Sequence, residues 1–583
     1  MKISRITVSN YRNIDGITVV FHPESNYIIG ENNIGKSNFL SLLSVIFDGK
    51  CFDESDFDDV QKPIEIQMEL KLEDGEQGFF GDNFSPKDSS AINIKYVQSL
   101  RDAYPIIVST DTNESITPRQ LRKINHIKYD TTAVPSKELR LNNQKGIGIL
   151  ISSIIESYNS ESEHSYLDDG QISGLSAFIN GYLEKIKGFK DYSIRATISP
   201  HKTEMLTDLF YLSDGDRKID STGSGVQYMS MASVNILCQI SALYKSKSIS
   251  FSDRLYTDSN GKKLLPIVLS VDEPEVHLHP YLQRSLIGYY KRILKNEDDD
   301  FKDLLKSCFG IDGLSGQLLI VTHSTDALMG DYRNLIRFYK SGDCTKAISG
   351  YSLRPIPGQS IQGRIKTETE KHLIMRFPEI KEAFYSKCVI LIEGETEYGC
   401  IHDFALKKGV SLDDSGICVI NAKGEGSIKP LRELLNFFAI PSIAIYDGDV
   451  NDGQSTLSDE YYTNELCFEI EIVKTLFNAK KTDIIRKIVS EMDSNAASIE
   501  LDTNFVRKHF LKMGVDINTY VPKKLNDVSD EDENDFTNMF SAWFMAKKGV
   551  LLGRIVGDLL SGEDIPSCYG DAILKAQEVA SNA

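Results

Sequence analysis

Two sets of residues in this sequence have the types and spacing that chemistry at phosphate groups requires. The first begins with Gly30-Glu31-Asn32-Asn33-Ile34-Gly35-Lys36-Ser37. Its glycines let backbone N–H groups converge on phosphate oxygens, the Lys36 ammonium reaches the β- and γ-phosphates, and the Ser37 hydroxyl can ligate magnesium. Gly30, Asn33, Gly35, Lys36 and Ser37 are therefore the expected phosphate-binding residues. Far downstream, Asp272-Glu273 supplies one acid to hold the magnesium through water and a second to act as general base on an attacking water. His323, within Thr322-His323-Ser324, can contact the γ-phosphate and report its presence. The cofactor implied is ATP with its cation.

The second set is acidic. Among the carboxylates of Glu393-Gly394-Glu395-Thr396-Glu397 and Asp447-Gly448-Asp449, three, Glu393, Asp447 and Asp449, could not all stay ionised together without a divalent cation among them. Glu397 falls near Glu393 if the intervening turn becomes helical, and could complete a second metal position. All-oxygen donors suit a hard cation, Mg2+ or Mn2+.

Each motif stands at the end of an apolar run. Residues 26–29 read as a strand feeding the glycine loop, and residues 38–46 have helical spacing after it. Residues 264–271 read as a buried strand ending at Asp272, and residues 317–321 as another ending at Thr322. The pattern returns in residues 388–392, 417–420 and 442–446; the first of these ends at Glu393 and the third at Asp447. Ligands in open α/β sheets collect at the carboxyl ends of strands, so the expected fold is α/β with two such units. Apolar residues at helical spacing on both sides of an acidic, serine-rich turn, over 142–187, predict a helical hairpin inserted in the first unit. It serves either core packing or a contact between protomers. Gly342, Pro355, Pro357-Gly358 and Gly363 mark the exit from that unit. The expected organisation is residues 1–141 and 200–365 for the ATPase, 142–199 for the insert, and 366–583 for the second unit with a helical extension.

The bulk properties agree. A chain of 583 residues exceeds what one core supports, so two or three domains are expected. A net charge of −19 rules out a general nucleic-acid coat and restricts any DNA contact to a local basic surface or to bound cations. Arg119, Arg122, Lys123 and Lys128 could touch DNA phosphates or form a solvated face, and the acidic stretch 527–535 reads as a solvated loop. The nine cysteines contain no C-x-x-C pair and read as reduced core residues. No apolar leader opens the sequence and no run reaches the ~18 residues of a membrane span, so the cytoplasm is the expected location.

Ser221-Thr222-Gly223-Ser224-Gly225-Val226-Gln227 resembles the signature loop of ABC ATPases, although a plain glycine-rich turn has the same composition. With Asn10-Tyr11-Arg12-Asn13-Ile14 and Glu275-Val276-His277-Leu278-His279-Pro280, the motif order resembles the ABC-ATPase superfamily that includes structural-maintenance and RecF-type proteins. That resemblance implies that Ser224 and Gly225 cap a nucleotide held by another subunit, hence a homodimer or higher homo-oligomer. His277 and His279 either shape the loop at that interface or act as metal ligands. Glutamate-glycine after one strand and Asp-x-Asp after another resembles the Toprim motif, whose carboxylates hold one or two magnesium-like ions. An ABC-type ATPase followed by Toprim is similar to the OLD (overcoming lysogenization defect) nuclease family, including the nuclease component of Gabija-type antiviral defence. The resemblance spans nearly the whole chain. It implies a DNA endonuclease or nickase regulated by ATP, a helicase-like partner, a further acid at Glu469 or Glu471, and a charge-neutralising Lys547 or Lys548. The contrasting expectation is a nonnucleolytic, ATP-driven DNA-binding or repair protein of the RecF type.

Overall fold

Apolar runs with polar tips become parallel strands in the computed structural model, which describes all residues except 82, 131–133, 142–145, 162–168, 199–209, 247–248, 354–370, 372, 451–457 and 583. The chain divides into two compact units, Met1–Arg354 and Pro355–Ala583. The expected boundaries at 142, 199–200 and 365–366 lie outside the described residues.

The first unit opens with β1 (Lys2–Ser9), β2 (Ile17–Val20) and β3 (Ser25–Ile29), and β3 leads to the helix Lys36–Asp48. β4 (Ile64–Lys71), β5 (Ala91–Gln98) and β6 (Ile106–Ser109) join the first two in an antiparallel sheet of order β2-β1-β4-β5-β6. β4 shows the cause: apolar and polar residues alternate from Ile64 to Lys71, and the apolar set is buried. After β7 (Asn125–Asp130) come helices Ile147–Glu161 and Asp169–Leu183, the expected hairpin. A small antiparallel sheet of β8 (Ile194–Ile198), β9 (Phe210–Asp214) and β10 (Arg217–Lys218) was not foreseen. The helix Ser224–Tyr244 then leads to β11 (Tyr256–Thr257), β12 (Lys263–Asp272), helix Pro280–Leu294, β13 (Gly313–Val321), β14 (Leu335–Ser341) and β15 (Cys344–Ser349).

β11-β12-β13-β3-β14-β15 is the order of the central sheet, with β7 also beside β12. Asp272 is in register with Val321 and Val321 with Ile28, so β12, β13 and β3 present their tips along one edge. β12 is buried from Leu264 to Val271, as a strand covered on both faces must be. Gly342, read from the sequence as part of the exit, is instead the left-handed turn (φ +63°) between β14 and β15, which keep the chain in this sheet.

In the second unit β16 (Cys388–Ile392), helix Glu395–Lys407, β17 (Ile417–Asn421), helix Glu425–Phe437, β18 (Ser442–Tyr446) and β19 (Glu460–Tyr462) form a parallel sheet of order β17-β16-β18-β19. Helices Phe468–Asn478, Thr503–Met513, Glu533–Ala546, Val550–Leu559 and Ser567–Ser581 belong to the extension. Ile390, Phe404, Phe540, Trp543 and Leu552 share its core. The acidic stretch 527–535 is not merely a solvated loop. Asp530 pairs with Arg486 at 2.6 Å, Asp535 pairs with Lys523 at 2.6 Å, and Asp532 caps the helix Glu533–Ala546. Among the described residues no helix is long and apolar enough to cross a membrane.

Candidate active site

Where β3, β12 and β13 end, the first set of motif residues meets. At Gly30 (φ +144°) a Cβ would lie 2.3 Å from the Phe338 carbonyl oxygen, so glycine alone lets the loop approach β14. Asn33 (φ +61°) and Gly35 (φ +106°) turn the chain into the helix Lys36–Asp48, whose first N–H groups face the loop. Lys36 Nζ donates to the carbonyl oxygens of Gly30 at 2.9 Å and Glu31 at 2.6 Å. Burial lowers its pKa to about 8 against the opposing pull of Glu273, Asp272, Glu275 and Glu31. Ser37 Oγ donates to Asp272 Oδ1 at 3.2 Å. Glu273 sits in the left-handed region (φ +49°), held by its N–H bond to the Val321 carbonyl at 2.8 Å, and its carboxylate lies 3.6 Å from His323 Nε2. The cradle, the ammonium and the hydroxyl–carboxylate pair fit triphosphate and cation.

The second site grows from adjacent parallel strands. Ile392 of β16 is in register with Ile445 of β18, so the two strands end within a residue of each other, Asp447 one residue past the level of Glu393, and Asp447 N–H donates to Glu393 Oε2 at 3.3 Å. A cavity of about 400 Å3 opens there, lined by Glu393, Glu397, Asp447, Glu469, Lys548 and Gly549 among others. Glu397 and Glu469 stand in the first turns of their helices and are buried. Thr396 Oγ1 donates to Glu469 Oε1 at 2.8 Å and accepts the Gly549 N–H at 3.0 Å, tying three segments together. Lys548 Nζ lies 3.5 Å from Glu469 Oε2.

Burial first, then Asp447 and Glu469, push Glu397 up to about 8. Burial, then Glu393 and Glu469, push Asp447 up to about 7 while Lys548 pulls the other way. Burial also raises Glu393. Acids that resist common ionisation are the donors a hard divalent cation would relieve. Among the described residues no three acidic, histidine or cysteine side chains are already closed round one point, so these acids form a wall and not a finished coordination sphere. A separate cavity of about 370 Å3, touching Glu24, Lys291 and Ser315 in the first unit, contains none of the motif residues.

Residues 384–449 match the family described as overcoming lysogenization defect protein-like, TOPRIM domain, and residues 1–235 match an AAA ATPase domain. The Old nuclease of Escherichia phage P2 is 21% identical over 77% of this chain and 77% of its own length. Endonuclease GajA of Bacillus cereus strain VD045 is 23% identical over 73% of each. The chain is a homologue of the OLD and GajA nucleases. A shorter likeness, 38% identity over 9% of this chain and 14% of the relative, links it to the replication and repair protein RecF of Colwellia psychrerythraea.

In this OLD homologue Glu393, Glu397, Asp447 and Glu469 share one cavity, whereas Asp449 is not among its lining residues and pairs with Lys512 at 3.1 Å. Lys548 lines the cavity; the expected Lys547 does not, because it caps the end of the helix Glu533–Ala546 one residue too early. Glu471 accepts bonds from Asn464 Nδ2 and Glu465 N–H, which leaves Glu469 as the acid of that pair at the site. Ser224 and Gly225 begin the helix Ser224–Tyr244 beside the loop after β12, and Tyr228 stacks on His277 at 4.4 Å. His279 packs near Tyr281, with ring centroids 5.3 Å apart. Of the basic residues that could meet DNA phosphates, Arg119 makes an exposed pair with Asp253, Arg122 Nε donates to the Asp48 carbonyl, Lys123 lies over Phe79, and Lys128 stands in β7. Sequence reading missed Thr396, whose hydroxyl stands inside the Glu-Gly motif, and Glu275, which accepts from Thr322 Oγ1 at 2.8 Å and His323 N–H at 2.6 Å. The Asp-Glu-Pro-Glu spacing was the available signal for Glu275.

Proposed function

We propose that this chain is an ATP-regulated, divalent-cation-dependent DNA endonuclease or nickase that cuts at the cavity in its second unit. The observation that carries the reading is the gathering of Glu393, Glu397, Asp447 and Glu469 with Lys548 round one opening. These acids would hold Mg2+ or Mn2+, which when bound polarises a phosphodiester and activates its nucleophile. Thr396 fixes Glu469, and the Lys548 ammonium offsets charge developing on the scissile phosphate. In the first unit Gly30, Asn33, Gly35, Lys36 and Ser37 hold the triphosphate, Asp272 the cation, Glu273 the attacking water, and His323 senses the γ-phosphate. Ser224 and Gly225 would come from a second copy, making the working form a homodimer or larger homo-oligomer, with the helical insert as its contact. The resemblance to Gabija-type nucleases supports antiviral defence in the cytoplasm with a helicase-like partner.

Purified protein is incubated with supercoiled DNA and Mn2+ or Mg2+, with and without ATP. Nicked or linear product is expected, and Asp447→Ala should abolish it while leaving ATP binding intact. Unchanged cutting by Asp447→Ala overturns the assignment. ATP hydrolysis without cutting under any condition favours the nonnucleolytic, RecF-like reading.

A further inference from the structure

The two acids of the Asp-x-Asp motif face different ways. Asp447 lines the cavity and accepts the Phe468 N–H at 3.2 Å. Asp449 is absent from that lining and lies 3.1 Å from Lys512 Nζ, in the last turn of the helix Thr503–Met513. Both members of the pair are partly exposed. Asp449 is only two residues beyond Asp447, so the pair stands beside the cavity that Asp447 lines. An ammonium at this distance takes the place at the carboxylate that a cation would otherwise use. It is also the charge a phosphate would attract, and a lysine's four-carbon stem lets its head swing between two such partners.

Resting on the reading of the cavity as a cation-dependent nuclease site, we propose that Lys512 is a positioning residue that occupies Asp449 in the free protein, and that a DNA phosphate draws it away and releases Asp449 to a second divalent cation. The second cation and DNA then bind cooperatively, because each removes the obstacle to the other. An exposed ion pair restrains the carboxylate only modestly, so the effect is up to about fivefold in affinity.

The test uses nucleotide-free full-length protein carrying Asp272→Asn, which silences the cation acid of the ATPase. Mn2+ uptake is followed by electron paramagnetic resonance, with and without a cutting-resistant phosphorothioate duplex. The parent protein is expected to take up one Mn2+ tightly and a second weakly, with the duplex strengthening the second. Lys512→Gln should tighten the second ion by up to about fivefold without DNA and abolish the response to the duplex, and Lys512→Arg should restore both. Equal second-ion affinity in the parent and Lys512→Gln, or a duplex response that survives Lys512→Gln, overturns the proposal. One tight ion and no second, with or without duplex, overturns it while leaving the reading of the cavity intact. No uptake at all, or a first ion that survives Asp447→Asn, brings down the cavity reading and the proposal with it.

Discussion

Gly553 lies so close to Thr396 that a Cβ at position 553 would stand 1.9 Å from the Thr396 carbonyl oxygen. On the facing helix a Cβ at Gly399 would stand 2.4 Å from the Val550 carbonyl oxygen. Helices Glu395–Lys407 and Val550–Leu559 therefore touch backbone to backbone, and this contact carries Lys548 and Gly549 to Thr396 and Glu397. Gly553→Ala should force them apart, at a cost of about 1–3 kcal/mol, and reduce cutting beyond what the lost stability explains. Gly557→Ala, whose Cβ would meet the Asp403 side chain (Oδ2 at 2.6 Å, Cβ at 3.1 Å) and no backbone atom that close, should be milder. Urea midpoints and cleavage rates of the two variants decide the matter; equal losses in both would separate the helix contact from the chemistry.

The two neighbouring lysines should differ sharply. Lys548→Ala is expected to slow single-turnover cutting by about 10²–10³, the usual effect of removing one group that stabilises developing charge. Lys547→Ala should stay within about twofold of the unaltered protein, since position 547 is outside the cavity lining. The reverse ranking would place the scissile phosphate on the other side of Glu469.

Binding and hydrolysis of nucleotide should separate in the first unit. Lys36→Ala removes the ammonium that spans the Gly30 and Glu31 carbonyls, and a fluorescent ATP analogue should no longer bind. Glu273→Gln should bind it normally but hydrolyse ATP at least about 10²-fold more slowly, as loss of a general base requires. Normal turnover in Glu273→Gln would transfer the base role to another group, with Glu275 nearest to His323.

Acid should weaken the first unit through His126. Its imidazole is buried against Ser270 Oγ at 2.8 Å, and burial lowers its pKa from 6.5 to about 4. Because the folded value lies below the unfolded one, the unfolded chain binds the extra proton first. Stability is complete above pH 6.5 and falls as pH drops toward 4, by about 3 kcal/mol in all. Urea unfolding across that window should show this slope, and His126→Gln should flatten it. An unchanged slope would mean that carboxylates, not this histidine, set the acid limit.

Legibility in the sequence depended on whether one short segment carried the whole signal. β3, β12, β16 and β18 each hold an apolar run and a polar tip, so Lys36, Asp272, Glu393 and Asp447 could be read together with their strands. β7 could not, because Asn125-His126-Ile127-Lys128-Tyr129-Asp130 mixes polar and apolar residues and its place beside β12 is decided by tertiary pairing. The choice between Lys547 and Lys548 turned on the last residue of a helix, which periodicity does not locate. Lys512 was beyond reach, since no motif connects it with Asp449 across the intervening helices.

The pairing of Ile392 with Ile445 has a wider consequence. It makes the interval between the anchors of Glu393 and Asp447 a property of neighbouring backbones, one strand spacing of about 4.8 Å with an offset of one residue, and not of either connecting loop. Loops can lengthen, shrink or change chemistry while the anchors stay put, but a slip of β18 by one position would turn its tip to the opposite face. Diversification of what the protein attacks thus has free range around a spacing that main-chain hydrogen bonds keep constant.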